Sequence, residues 1–369
     1  MKNSKGLSVK NKTGILVGIG VAITVAVMVV YATSAFRNSS IKNAKEILKS
    51  EAENYAAEIK FEFEKPLNEA RALSEVLMAV KDEKYPLQIS REQTQAMSKN
   101  ILLRHQSFLG LTLCWEPDAF DGSDAKYINK LPSDKTGRFI SYLTKDDKGG
   151  VVIEPLIDYE NEAASPWYWV PKRILNEFVT EPVMYPVQGR DIYMISFMCP
   201  ILVHGNFLGV TGIDVAIEFV QELVNKSQLF DGKATIAVIS NGGIIAAHSK
   251  EKNLIGKNIS EVFIGEFASL QLLQSGKSDI IEKDDFVIIN VPIKVGYSTM
   301  PWQVRISVPM DIITYESRVT MLAMIVIGLI LVILSVLIIY MFINHLLKPL
   351  GQVVSIVKTM SDGDLSNQS

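Results

Sequence analysis

Two stretches of this sequence contain no Asp, Glu, Lys or Arg: Thr13 to Phe36 and Val319 to Leu347. Each is at least as long as the ~20 apolar residues that carry a helix across a bilayer. Membrane spans are therefore expected at 13–36 and 319–343. The first is well beyond the ~7–15 residues of a signal-peptide apolar region, so it reads as an anchor that stays attached. Lysines flank both runs on their outer sides: Lys2, Lys5, Lys10 and Lys12 before the first, Lys348 and Lys358 after the second. Lys and Arg within ~15–20 residues of a span favour the cytoplasmic side. The pattern predicts a multi-pass protein of the inner (plasma) membrane. Residues 1–12 and 344–369 are placed inside, and 37–318 outside, extracellular or periplasmic.

Between the spans the period of the pattern changes. Ile41, Lys45, Leu48, Ala52, Tyr55 and Ile59 advance in steps of four and three, and Phe63, Pro66, Ala70, Leu73 and Leu77 continue them. This predicts a long helical region within 37–100, kinked at Pro66, which lacks one intrahelical donor. Such a seam suits a parallel homodimer in its first half; in the second half packing on its own domain is an equal reading. From 101 to 230 the chain turns strand-like. "FLGLTLCW", "GRFISYLT", "VVIEPLI", "DIYMISFMCPIL" and "FLGVTGIDV" are short β-branched and aromatic runs, separated by turn clusters such as "PDAFDGSD" and "VHGN". An amphipathic helix with Ile217, Val220, Leu223 and Val224 on one face follows. A smaller strand set, "ATIAVIS", "GIIAAHS", "DFVIINVPI" and "WQVRISVPM", occupies 231–318. The break near 226–233 divides two antiparallel-sheet modules, an α+β arrangement.

The remaining composition narrows the function. The 369 residues carry a formal charge of −3, without the dense basic footprint that nucleic-acid binding uses. Cys114 and Cys199 are too few and too far apart for a zinc site. Buried free thiols are the first reading and a single disulfide the second. His105, His204, His248 and His345 are scattered, with no H-E-x-x-H or C-x-x-C, and "GIG" at 18–20 lies inside the first span. "DAFDGSD" lacks the alternate spacing of a calcium loop. No enzyme, metal or cofactor is expected.

One stretch asks for a ligand. "SPWYWVP", residues 165–171, holds Trp167, Tyr168 and Trp169 between two prolines, half of the chain's four tryptophans. Prolines at both ends argue against a central strand. Aromatics held on a turn line a pocket or close a core beneath a loop, and adjacent side chains cannot all face one cavity, so Trp169 is expected to pack outside.

The order of "WEPDAFDGSD", "TGRFISY", "TEPVMYPVQGRDIYMISFMCPI" and "GNFLGVTGIDV", followed by "TIAVISNGGIIAAHSKEKNLIGKNI", resembles the double Cache (dCache) sensor domains of bacterial methyl-accepting chemotaxis receptors. That resemblance implies a long N-terminal helix plus two PAS-like antiparallel-sheet modules between two transmembrane helices. It also implies a small-molecule site in the membrane-distal module. Trp167 and Tyr168 match the family's Trp-Tyr pair, Tyr185 its later Tyr and Asp214 its Asp; Tyr159 lies one position from its first Tyr. Tyr142 and Ser196 complete the expected ligand-binding set. Ser165 stands where amino-acid-binding members have an Arg, and a serine cannot clamp a carboxylate through two parallel hydrogen bonds. Aromatic faces plus one carboxylate suit an organic amine or a flat purine. An amino acid or small carboxylate stays open, with Arg173 or Arg190 as substitute clamps, and Asp214 as a strand-end cap is the plainer alternative. "NHLLKPLGQVVSIVKTMSDGDLSNQS" is similar to the start of a HAMP domain, with Pro349, Val353, Ile356 and Gly363–Leu365 as its features. The implied protein is a chemoreceptor acting on cytoplasmic signalling partners through an output domain beyond this sequence. A histidine kinase or second-messenger enzyme is the alternative output.

Overall fold

The apolar seam of the first helix is used up inside the chain's own domain. In the computed structural model, which describes residues 9–226, 228–262, 271–272, 274–283 and 285–361, helix α1 runs Val9–Met78 and passes through Pro66. Leu48, Ala52, Ile59, Phe63, Leu67, Ala70 and Leu77 are fully buried. Within the expected homodimer seam at Ile41–Ile59, Leu48, Ala52 and Ile59 are buried in their own chain, where Lys45 pairs with Glu282 and Tyr55 donates to the Leu223 carbonyl. Heptad spacing specifies an apolar face and leaves its partner open.

The chain forms two compact units, one of residues up to Ala44 and from Met310, the other Lys45–Pro309. In the first unit, α1 and a helix at Tyr315–Ser361 each contain a window long and apolar enough to cross a membrane. They meet where side chains are small. A Cβ added at Gly328 would stand 3.1 Å from Val29, and one at Gly18 would stand 3.4 Å from Val336. Close approach at glycine is how apolar helices gain contact in lipid. Gly363–Leu365 lie outside the described residues.

The second unit holds two sheets built to one plan. The first comprises β1 Phe108–Trp115, β2 Ile140–Lys145, β3 Val151–Pro155, β4 Phe178–Val179, β5 Val183–Val187, β6 Arg190–Val203 and β7 Asn206–Ala216. Its order is β3-β2-β1-β7-β6-β4, with β5 also paired to β6. The second comprises β8 Thr235–Ile239, β9 Ile245–His248, β10 Asp279–Lys283, β11 Phe286–Ile293 and β12 Trp302–Pro309, in the order β10-β11-β12-β8-β9. In both, the last strand returns beside the first and every ladder is antiparallel. This is the α+β, two-module architecture that the alternation predicts. Helix α2, Arg91–Arg104, starts at a capping box in which Ser90 and Gln93 satisfy each other's backbone N–H groups.

Side chains of α1 join the sheets. Phe63 meets Phe197 of the first sheet and Trp302 of the second edge-on, at centroid distances of 5.4 and 5.3 Å. Near them Arg71 pairs with Glu177, which also accepts a 3.0 Å hydrogen bond from the Tyr297 backbone N–H. Glu181 accepts from Gly242 N–H at 2.8 Å and from the Ser240 hydroxyl. Both cysteines are buried free thiols, so the disulfide alternative falls.

Candidate functional site

"SPWYWVP" is neither strand nor turn. It forms most of helix α3, Pro166–Ile174, where Pro166 occupies the first turn and needs no backbone partner there. Ser165 precedes it, buried, with its hydroxyl donating to the Asp158 carbonyl at 2.8 Å. The helix ends at Leu175, whose positive φ of 51° closes the last turn onto the Pro171 carbonyl.

The face of the first sheet beneath α3 is assembled by register. Gly110 of β1 stands opposite Asp214 of β7, Ser196 of β6 also opposite Asp214, and Thr112 opposite Tyr142. These residues and their neighbours enclose a cavity of about 20 Å³, lined by Thr112, Tyr142, Leu156, Trp167, Val183, Tyr185, Met194, Ser196 and Asp214. That is room for about one water. The rings of Tyr142 and Tyr185 meet edge to face at 5.6 Å. The indole N–H of Trp167 is buried without a hydrogen-bond partner among the described residues.

Asp214 is the electrostatic centre of this cavity. Burial raises its pKa above the ordinary carboxylate value, and hydrogen bonds from the Ser196 and Tyr142 hydroxyls oppose that rise only in part. No lysine or arginine acts on it among the described residues. Burial next to this acid pushes the Tyr142 phenol well above its usual range. Tyr185 is pushed up to about 12 by burial, against the hydrogen bond its oxygen accepts from the Ile157 N–H.

Tyr142 reaches the acid because Gly110 lacks a side chain. A Cβ there would stand 2.6 Å from the Tyr142 hydroxyl oxygen and 2.8 Å from its ring. Gly110→Ala is therefore expected to cost about 1–3 kcal/mol by overpacking. Tyr142 must swing away, so near-ultraviolet circular dichroism should change along with the chemical-denaturation midpoint.

Of the seven candidate residues, Tyr142, Trp167, Tyr185, Ser196 and Asp214 share the cavity, whereas Tyr159 and Tyr168 do not line it. The Tyr168 hydroxyl donates to Glu116 and accepts from Arg138 and Lys172, each at 3.3 Å. Tyr159 donates to Asp134 at 2.6 Å, and its backbone carbonyl accepts the Trp169 indole N–H at 3.0 Å. Trp169 is half-buried, packed against the same cluster as Trp167 and Tyr168, and does not line the cavity. The substitute clamps are elsewhere. Arg173 pairs with Glu162 and Arg190 with Asp147, all four exposed, and neither arginine lines the cavity. Thr112, Leu156, Val183 and Met194 were missed by the sequence reading. Strand alternation was a usable signal for two of them, since Val183 lies two residues before Tyr185 and Met194 two before Ser196.

The family model described as "Methyl-accepting chemotaxis protein-like, first PDC sensor domain" matches residues 94–222. The methyl-accepting chemotaxis protein TlpQ of Pseudomonas aeruginosa is 26% identical over 334 residues, covering 82% of this chain and 46% of the relative. The chain thus spans about half the length of that receptor. Among solved structures, the extracellular domain of the putative histidine kinase mmHK1S-Z2 is 31% identical with a TM-score of 0.64, covering 73% of this chain and 98% of that one. The corresponding domain of mmHK1S-Z3 is 28% identical with a TM-score of 0.64, covering 75% and 97%.

Proposed function

We propose, from the premise that this chain belongs to the Cache-type extracellular sensor domains of chemotaxis receptors and sensor kinases, that its membrane-distal module binds a small organic amine. The observation that carries this reading is Asp214, a buried acid on which no basic side chain acts among the described residues. A buried carboxylate without a counter-ion is costly, and a protonated amine supplies the missing charge. Tyr142, Tyr185 and Trp167 offer π-faces to the same cation. An α-amino acid would bring a carboxylate as well, and Arg173 and Arg190, the candidate clamps for it, are paired at the surface.

A cavity of about 20 Å³ must widen to admit such a ligand. The wall that can yield is β5, which carries Val183 and Tyr185 and pairs on one side only, with β6. An edge strand of this kind opens at lower free energy than a central one. Amine binding then favours the widened conformation, and that differential affinity is the signal. The chain is read as the sensory half of a membrane chemoreceptor, with a sensor kinase as the other output.

Calorimetry of the full chain in detergent with butylamine, N-butylacetamide and butyrate tests the ligand class. Butylamine alone should give saturable heat. Binding of the neutral amide with equal affinity, or of butyrate alone, would remove Asp214 from its proposed role. Membrane topology is tested separately by thiol labelling of intact cells. Lys250→Cys is expected to label from outside, and Lys5→Cys and Lys358→Cys only after permeabilisation. The native thiols give little background, because burial removes access and raises both above the ordinary thiol value, Cys114 to about 12. Outside labelling at position 5 would invert the topology.

A further inference from the structure

The second sheet carries a buried polar patch that the distal pocket does not explain. One face of β12 is apolar, with Trp302, Val304, Ile306 and Val308 all buried and Trp302 against Phe63. The other face presents Gln303 and Arg305, also buried. Register sets Arg305 opposite Asn290 of β11, and Gln303 opposite Pro292, two residues further along the same strand. Gln303, Arg305 and Asn290 therefore form a triangle on one face, within the reach of diagonal cross-strand neighbours.

Three polar atoms of this triangle have no hydrogen-bond partner among the described residues. They are both amide atoms of Gln303, which is 2% exposed, and the Oδ1 of Asn290, which is 3% exposed. The other amide atom of Asn290 is engaged, donating to Asp279 at 2.8 Å. Native proteins leave few such atoms, since each costs its full desolvation. Arg305 has partners of its own in the chain, and with five N–H donors its guanidinium can serve a ligand as well.

We infer that this face is a second small-molecule site, for a small carboxylate that carries a hydroxyl or amino group on the adjacent carbon. The Gln303 amide N–H and the Arg305 guanidinium donate to the carboxylate oxygens. The Gln303 and Asn290 amide oxygens both accept from an adjacent ammonium, or one of them accepts from an adjacent hydroxyl. The amino form thereby matches all three orphaned atoms and the hydroxyl form two of them, and either form brings a carboxylate, which the amine proposed for the first module lacks. The inference stands on the second sheet alone and does not depend on the amine reading.

Hydrogen exchange with mass-spectrometric detection, on the full chain in nanodiscs, tests it. Glycolate and glycine are the probes and acetate is the control without the adjacent donor. Glycolate or glycine, or both, should slow exchange in β11 and β12 and leave β6 and β7 unchanged; the response of each tells the hydroxyl from the amino form. The effect should persist in Asp214→Asn. Gln303→Met should raise the concentration needed by roughly tenfold or more. Its melting temperature should hold or rise, since both orphaned amide atoms leave the core. No slowing by either probe at millimolar concentration, or an equal response to acetate, overturns the site. A lowered melting temperature in Gln303→Met also overturns it, by showing that buried water satisfies the amide.

Discussion

Asp214→Asn is expected to make the unliganded protein more stable at neutral pH and to cut amine affinity about a hundredfold or more. The two effects have one origin. In the folded state burial raises the Asp214 pKa above its unfolded value, so the native chain holds this proton more tightly than the unfolded chain does. Below the unfolded value the group is protonated in both states and contributes nothing. As pH rises from the unfolded value through the raised folded value, a penalty appears, and it is complete above the latter. Asparagine abolishes that penalty. The stabilisation should therefore be present at pH 7 and vanish in acid, which melting curves across pH would reveal. Binding moves the other way. Removing one member of a buried ion pair costs about 3–5 kcal/mol, a loss of about a hundredfold or more. In the unaltered protein amine affinity should fall as pH drops through the raised value, because the neutral acid is no counter-ion. A mutant that binds amine normally, or is destabilised at pH 7, would end the assignment.

Trp167→Ala should lose both folding stability and binding. The side chain is 6% exposed and packs within a cluster that includes Tyr142, Tyr159, Tyr168, Leu156 and Met198. Truncating a large buried aromatic costs about 3–5 kcal/mol, so weakened binding in this variant says little. Trp167→Phe separates the roles. It keeps a ring face in the cavity and removes the orphaned indole N–H, so denaturation should shift far less than for alanine. If the indole serves the ligand, affinity should still fall roughly tenfold, the scale of one hydrogen bond. Unchanged affinity in Trp167→Phe would leave the tryptophan as a wall only.

The sheets were legible because strand alternation and turn residues are local signals, and both modules repeat them. The two apolar helices were legible from length alone. The α1 seam was half legible: periodicity revealed an apolar face at Leu48, Ala52, Ile59 and Phe63, but the Phe197 and Trp302 that Phe63 meets are far away in sequence. The prolines of "SPWYWVP" correctly excluded a strand, yet Pro166 fits the first turn of a helix equally well. On that helix successive side chains point in different directions, so Trp167 enters the cavity while Tyr168 turns to Glu116. The family resemblance supplied the residue types at the site, and helix geometry decided which of them met. What surrounds Asp214 was illegible, since the missing counter-ion is a property of neighbours brought in by other strands.

The stretch from Trp167 to Tyr185 has a mechanical consequence. Its two ends, Trp167 on one side and Val183 with Tyr185 on the other, are walls of one cavity. Its middle is tied down twice, by Glu177 to Arg71 and the Tyr297 backbone, and by Glu181 to Ser240 and Gly242. If a guest spreads the two walls, the anchors that lie between them along the chain, Glu177 and Glu181, take up the load. Either a knot at Glu177 or Glu181 slips, or the tether pulls on α1 and the β8–β9 turn. A tightened cord would thus deliver a displacement at the first cavity to the second sheet, without any side chain of that sheet touching the guest.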